Sequence, residues 1–533
     1  MFMDLIPVLI ILIPVVTGVF IYITRHYKFN MLVFLAQSIV TGLALRYYFY
    51  IGRLKGEVFL NLGNWSEKIS IVLKNDYLSM TFIFLTIIMW WMVIIYSWKE
   101  RKKDSKFYFF LLFLEGVFFG LLQTNDLFNL FVFIEITTII STILILYKMT
   151  GESVRAGFYY LLFNSAGIMF FLIGMAFIYY SEGTLSINEL TGKINISQGL
   201  NLTNISYISI IAAIGVKSAF FPVYNWLPKA HSAAPSVISA LLSGLLVKSG
   251  LYVFIRINSM YGLESFREFF IILGLITAIS GGIFAISQKD IKQILAFSTV
   301  SQIGIIMIGL NQLDGNIIGG VFHIINHAFF KSMLFLSAGI IIKTYKERDT
   351  KVIRGVLYEL PLVGIFILIG FFSISGMPFF NGYVSKSIIK YGVYNEFIIY
   401  AIHFIDILTI TYFMKILQVL NKPKGLNVRY KVKRCNNSKV PVVILGFLCI
   451  ILGIFYQPIG RLLLRTEIKY IDLFDLKEWS IYSSKLITGY IIYKYVIKKD
   501  YSLIKKIRKT NISFSNTNYL FILFITIMLL WKL

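Results

Sequence analysis

Apolar runs of roughly 20 residues recur along the chain, each long enough to cross a ~30 Å hydrocarbon layer and separated from the next by a short polar stretch. By that criterion about 14 transmembrane helices are expected. They begin near Leu5, Met31, Tyr77, Phe107, Leu127, Gly157, Tyr207, Val237, Phe269, Ile294, Ile317, Leu360, Phe397 and Val440. The first run, Leu5 to Thr24, has neither a basic start nor a small-residue cleavage site, so it reads as a retained helix and not as a signal peptide. After Gln457 the pattern weakens: a charged amphipathic stretch (Arg461 to Lys477) precedes an apolar run (Ile481 to Val496), a basic cluster (Lys498 to Lys509) and a last apolar run from Tyr519. Two further spans there would make about 16; a helix lying along the membrane is the rival reading. The predicted fold class is an all-α polytopic membrane protein.

Composition agrees with the pattern. Of 533 residues 57% are hydrophobic and only 14% charged, where soluble domains carry about 25% charged residues. The formal charge of +25 raises the question of nucleic acid, but the basic residues fall in alternate short loops, which is a topology signal. They are Arg25 and Lys28; Lys99, Arg101, Lys102, Lys103 and Lys106; Lys148 and Arg155; Lys289 and Lys292; Lys343 to Arg354; and Lys422 to Lys439. The opposite loops are mixed or acidic, with Glu57, Glu67, Glu182, Glu189, Glu264 and Glu268. The basic loops are therefore expected inside and the amino terminus outside, in the cell (inner) membrane. Cys435 and Cys449 stand far apart, outside any CxxC spacing, so the chain by itself holds no iron–sulfur cluster or zinc, and no cofactor is expected.

Charged groups at membrane depth need a reason, since each costs about 2.5–3.5 kcal/mol on insertion scales. Glu135, Lys217, Lys248 and Lys386 fall within the fifth, seventh, eighth and twelfth runs. A lysine can instead snorkel to the interface, and a glutamate can be a neutral packing group. Lys248 sits about mid-run, where snorkelling is hardest. His323, His327 and Lys331 are spaced by four, which places them on one helix face as a ladder suited to a proton relay. A metal site at the two histidines lacks a completing cysteine or carboxylate. Glu115, His231, Asp406 and Lys415 are weaker candidates: the first a second carboxylate beside Glu135, the second an interfacial group, the last two partners of their neighbours.

Two runs are interrupted. The seventh leads into Phe220 to Pro228, with Pro222 and Pro228; the twelfth contains Gly376 and Pro378 followed by Asn381 and Gly382. Unwound backbone within a membrane is tolerated where it is buried in protein or lines a watery cavity, although a proline kink can also serve packing alone. The interruptions lie five runs apart, each with a lysine close by, as expected for inverted repeats formed by runs 4–8 and 9–13. The implied organisation is 1–106, N-terminal helices; 107–256, first five-helix repeat; 257–420, second, inverted repeat; 421–456, a last core helix after a basic loop; and 457–533, a C-terminal extension.

The stretch Asp126-Leu127-Phe128-Asn129-Leu130-Phe131-Val132-Phe133-Ile134-Glu135-Ile136 resembles the fifth-helix motif of the D-type component of Mrp-type multisubunit Na+/H+ antiporters. Gly215 to Ala219, Trp226 to Pro235 and Gly244 to Tyr252 are similar to the core signature of the superfamily that also holds the antiporter-like subunits of complex I and of membrane-bound hydrogenases. Asp290 to Gly304, His323 to Lys331 and Gly376 to Lys386 extend the likeness, in order, over roughly Phe107 to Leu420. Met377 and Phe379 stand where Ile and Pro are commoner.

The resemblance implies a proton- and cation-translocating subunit. Glu135 and Lys217 would be a carboxylate–lysine pair, Lys248 with His327 and Lys331 a central relay, and Lys386 the distal lysine. Partners would be other membrane subunits, H+ with Na+ or K+, and the bilayer. Two alternatives stay open: an antiporter-like pumping subunit of a membrane-bound hydrogenase or NADH–quinone oxidoreductase, which would make it part of an enzyme, and a non-conducting scaffold.

Overall fold

Polar residues flanking the apolar runs set where the helices start. The computed structural model describes residues 2–24, 29–54, 56–64, 70–101, 104–194, 201–262, 266–421, 437–510 and 514–532. Arg25, Lys28, Glu67, Lys102, Lys103, Glu264, Cys435 and the basic loop over 422–436 lie outside the described residues.

Helices α1 (Phe2–Thr24) and α2 (Phe29–Arg53) come first. An antiparallel hairpin, β1 (Glu57–Asn61) and β2 (Val72–Asp76), follows and ends on Asp76. Asp76 starts α3 (Tyr77–Ser97) through a reciprocal capping box with Ser79. Asp104 and Asp126 cap α4 (Ser105–Gln123) and α5 (Leu127–Leu146), and Thr150 with Ser153 forms a second box at α6 (Gly151–Glu182). Each cap satisfies amides that the first helical turn leaves open.

Next come α7 (Leu202–Ser218), α8 (Trp226–Ala233), and α9 (Ser236–Tyr261), which contains a π turn at Leu242–Leu246. They are followed by α10 (Arg267–Ser287), α11 (Ile291–Leu310), α12 (Ile318–Tyr345), α13 (Pro361–Ser375), α14 (Asn381–Val393) and α15 (Glu396–Leu417). The chain closes with α16 (Val440–Ile454), α17 (Tyr456–Leu464), α18 (Leu476–Ile492), α19 (Ser502–Lys509) and α20 (Phe514–Lys532).

Among the described residues eleven helices are long and apolar enough to cross a membrane, or twelve if α16 and α17, bent by 97°, form one span. The protein is thus a mostly helical, multi-pass membrane protein. The β1–β2 hairpin corrects the all-helical expectation: its strands are five residues each and lie between apolar runs, below the length that hydropathy registers. Lys292, expected in a loop, is the second residue of α11 and is buried, because Asp290 caps that helix and draws its first turn inward.

Burial rises toward the middle of the bundle. The apolar windows of α9 and α12 are fully buried, those of α1 and α2 only one third so. Helix α12 is the axis, packed by α9, α11, α13, α14 and α16. Helices α10 and α11 approach closely where the backbone of Gly274 faces Gly304, a position with no room for a Cβ.

The extension wraps this bundle. Helix α17 lies across the ends of α2 and α3, taking hydrogen bonds from Tyr48 and Thr81 at Leu462 O and Leu463 O. Helix α18 runs beside α15, with Tyr493 donating to Gln418 Oε1 at 3.0 Å. Asp500 then pairs with Lys289 (3.2 Å), Lys351 (3.5 Å) and Arg508 (2.6 Å). That places the basic cluster at the bundle end shared by the α10–α11 and α12–α13 connections. Helix α20 returns along α7, with Phe521 edge-on to Phe170.

Candidate functional site

Helix α7 stops at Lys217 and Ser218 because Ala219 takes a left-handed conformation (φ 58°) and Pro222 follows. The indole of Trp226 fills the break, its Nε1 donating to Val216 O at 2.7 Å. Pro228 sits in the first turn of α8, where no intrahelical amide is needed. Lys217 is buried and donates to Thr138 Oγ1 at 2.7 Å and Tyr160 OH at 3.4 Å. Glu135, three residues before Thr138 on α5, accepts from Ser165 at 2.9 Å through Oε1 and leaves Oε2 without a hydrogen-bond partner among the described residues. The carboxylate and the lysine thus share one site with Thr138, not Glu135, as the lysine's direct partner.

The π turn in α9 shifts the backbone so that Ser243 O accepts a hydrogen bond from the Lys248 side chain. The same Nζ lies 2.5 Å from Nδ1 of His327 on α12. One turn along, His323 contacts Ser385 Oγ of α14 through Nδ1 (2.8 Å) and Gln302 Oε1 of α11 through Nε2 (3.2 Å). In the other direction Lys331 donates to Leu295 O at 3.2 Å and to Ser298 Oγ. Lys248, His323, His327 and Lys331 are all 0% exposed, so none snorkels to an interface.

A second break follows α13. Gly376, with φ 78°, ends the helix, and Pro378 lies in the five-residue interruption before α14. Lys386, on α14 directly after Ser385, donates to Ile374 O in the last turn of α13 and to Asp406 Oδ1 of α15, both at 2.7 Å. The second oxygen of Asp406 accepts from Lys485 of α18 at 2.9 Å. Polar contacts therefore link Lys248 with His327, and His323 with Ser385 beside Lys386, across three helices.

The remaining candidates fall elsewhere. Glu115 is fully buried and its polar neighbour is Gln37 of α2, whereas Glu135 turns to α6. His231 is fully buried and stacks on Phe335 at 5.0 Å. Lys415 donates to Ile286 O and Gln288 O at 2.5 Å each, capping the end of α10. Lys292 holds Ala234 O (2.7 Å) and Ser239 Oγ (3.0 Å) beneath the α8–α9 junction. Sequence reasoning missed Lys292, Lys485 and Thr138. Among the described residues no three His, Cys, Asp or Glu side chains group to hold a metal ion.

Two cavities open at opposite ends of the bundle. One of about 840 Å³ is lined by Arg155, Lys229, Ser232, Gln293 and Arg508, at the end where Asp500 binds Lys289. The other, about 970 Å³, is lined by Asp76, Arg256, Asn311 and Gln312.

Among the described residues, eleven or twelve helices long and apolar enough to cross a membrane, packed around buried lysines and histidines, define a polytopic membrane protein with an ionisable interior. The chain belongs to the family described as NADH:quinone oxidoreductase/Mrp antiporter, whose profile matches residues 124–411. It is 30% identical over 488 residues to the D component of the Na(+)/H(+) antiporter of Alkalihalophilus pseudofirmus, covering 88% of this chain and 98% of that protein. Its fold is similar to a chain of the membrane-bound sulfane sulfur reductase, an archaeal respiratory membrane complex (TM-score 0.79, 24% identity, 92% of this chain and 99% of that one). It is similar also to a chain of the Mrp complex from Dietzia sp. (TM-score 0.76, 19% identity, 95% and 100%).

Proposed function

We propose that the chain is a proton-conducting subunit of a multisubunit monovalent cation/H+ antiporter. Protons pass along Lys217, Lys248, His327 with His323, and Lys386, with Lys331 tuning the centre and Glu135 setting how firmly Lys217 holds its proton. The observation that carries this reading is the 2.5 Å approach of Lys248 Nζ to His327 Nδ1 with both groups fully buried. A buried ammonium touching an imidazole is costly to keep as a mere structural element. As a hand-over point it needs only a ring rotation or one water on either side. The step is of sensible size, since one charge crossing the membrane potential is worth about 2.3 kcal/mol per 100 mV.

In this reading α7–α8 and α13–α14 are broken spans, which with α16 brings the count to about 14; α18 and α20 would make about 16. Helices α4–α9 and α10–α15 are the two inverted repeats, within the segments 107–256 and 257–420. The Asp500 end, rich in lysine and arginine, faces inside and the amino terminus faces outside. The two cavities are then the mouths of half-channels, one from each side. Partners are the other membrane subunits of the complex; the exchanged ions are H+ and Na+ or K+.

The test is to isolate the native complex from membranes, identify its subunits, and follow proton release from everted vesicles on adding Na+ or K+. Cation-dependent proton movement with membrane-antiporter partners is expected. Co-purification with cluster-binding redox subunits and no cation response would transfer the chain to a redox-driven complex.

A further inference from the structure

The C-terminal extension reaches the far end of the buried row, in a contact that the sequence does not announce. Asp406 is 3% exposed and carries two lysines at once: Lys386 on Oδ1 at 2.7 Å and Lys485 of α18 on Oδ2 at 2.9 Å. Helix α18 is anchored around this triad by Tyr482 OH to Ser375 Oγ at 2.9 Å, at the last residue of α13, and by Glu478 to Lys390 at 3.4 Å. The cavity bounded by these groups has about 10 Å³, room for about one water.

One carboxylate cannot neutralise two ammonium groups in so closed a space. Each cation raises the energy of the other, and low polarity strengthens the repulsion. Lys485 is the more exposed of the two, at 11% against 4% for Lys386.

We propose that α18 gates the far end of the row: Lys485, by sharing Asp406 with Lys386, drives the Lys386 proton outward, and its withdrawal leaves the Asp406 carboxylate to Lys386 alone, which then keeps its proton. The proton passes from the Lys386 ammonium to the cavity water, leaving a neutral amine, while Asp406 stays ionised and Lys485 stays protonated. Lys390 and Glu478, His403 on α15 and His323 on α12 also face the triad. Lys485 is a positioning residue, and its role rests on the conduction reading of Lys386.

The experiment uses the whole complex in proteoliposomes and records the pH profile of cation-driven proton flux. Lys485→Met and Lys485→Gln both remove the second cation, and the glutamine keeps a hydrogen-bond donor toward Asp406 should the methionine impair assembly. Both are expected to move the half-maximal pH upward by about one unit, because Lys386 then keeps its proton to higher pH. Lys485→Arg is expected to keep the wild-type profile. An unchanged profile in the assembled neutral variants, or an equal shift in the arginine variant, overturns the gate. Wild-type flux in Lys386→Met overturns the conduction reading itself, and the gate with it.

Discussion

Lys248 Nζ stands 2.5 Å from Nδ1 of His327, where α9 and α12, whose apolar windows are fully buried, meet. The approach depends on the π turn at Leu242–Leu246, which sets the lysine's hydrogen bond to Ser243 O and with it the direction of the side chain. A local departure from regular helix geometry thus delivers an ionisable amine to the centre of the molecule.

The neighbourhood of Lys217 predicts a graded series. Lys217→Ala and Glu135→Ala are expected to abolish ion transport while the complex still assembles. Thr138→Val, which removes the acceptor at 2.7 Å but no charge, should lower transport by about tenfold. Vesicle transport corrected for the amount of assembled complex checks the series, and wild-type rates in the two alanine variants would remove the pair from the mechanism.

Among the described residues His231 has no hydrogen-bond partner on either ring nitrogen, and it rests against Phe335. His231→Ala should therefore slow transport less than Lys248→Met does. The reverse ranking, in parallel vesicle assays, would bring the path in at the α8–α9 junction.

Lys415 closes the open carbonyls at the end of α10. Lys415→Ala should cost about 1–3 kcal/mol of stability by leaving buried acceptors unmet. The expected result is a lower thermal midpoint of the solubilised complex with transport per assembled complex unchanged; lost transport at full stability would give this lysine a place in the path.

Asp76 pairs with Arg256 at 2.6 Å at the hairpin end. Burial raises the Asp76 carboxyl, but the Arg256 charge and the Ser79 amide outweigh it and hold it at about 2, below its ordinary 3.8. A carboxyl depressed in the folded state contributes stability that is complete above its ordinary value and fades as pH falls through the folded one. Asp76→Asn should thus cost about 2 kcal/mol near neutral pH. The gap between wild type and variant should close as pH falls from 3.8 toward about 2. Thermal midpoints across that range check the sign.

Much of this arrangement is legible in the sequence because the membrane simplifies the reading. An apolar run of fixed length marks a helix, a proline or glycine inside one marks a break, and four-residue spacing puts His323, His327 and Lys331 on one face of α12. The breaks at Ala219 to Asn225 and Gly376 to Phe380 fall where Pro222, Gly376 and Pro378 announce them. What escapes is set by contacts between distant segments. Lys485 is 79 residues from Asp406, and Thr138 is 79 from Lys217; no local pattern links either pair. Lys292 resembles a loop marker because hydropathy cannot tell a capped first turn from the connection before it. The π turn leaves no trace, since its residues Leu242-Ser243-Gly244-Leu245-Leu246 suit an ordinary helix.

The most direct test of the buried row is Lys248→Met in the purified complex, reconstituted in proteoliposomes with an imposed cation gradient and a pH indicator inside. The account predicts an assembled complex whose proton flux falls by roughly tenfold or more. Flux at the wild-type rate, in a variant confirmed to be present at wild-type abundance, would contradict it.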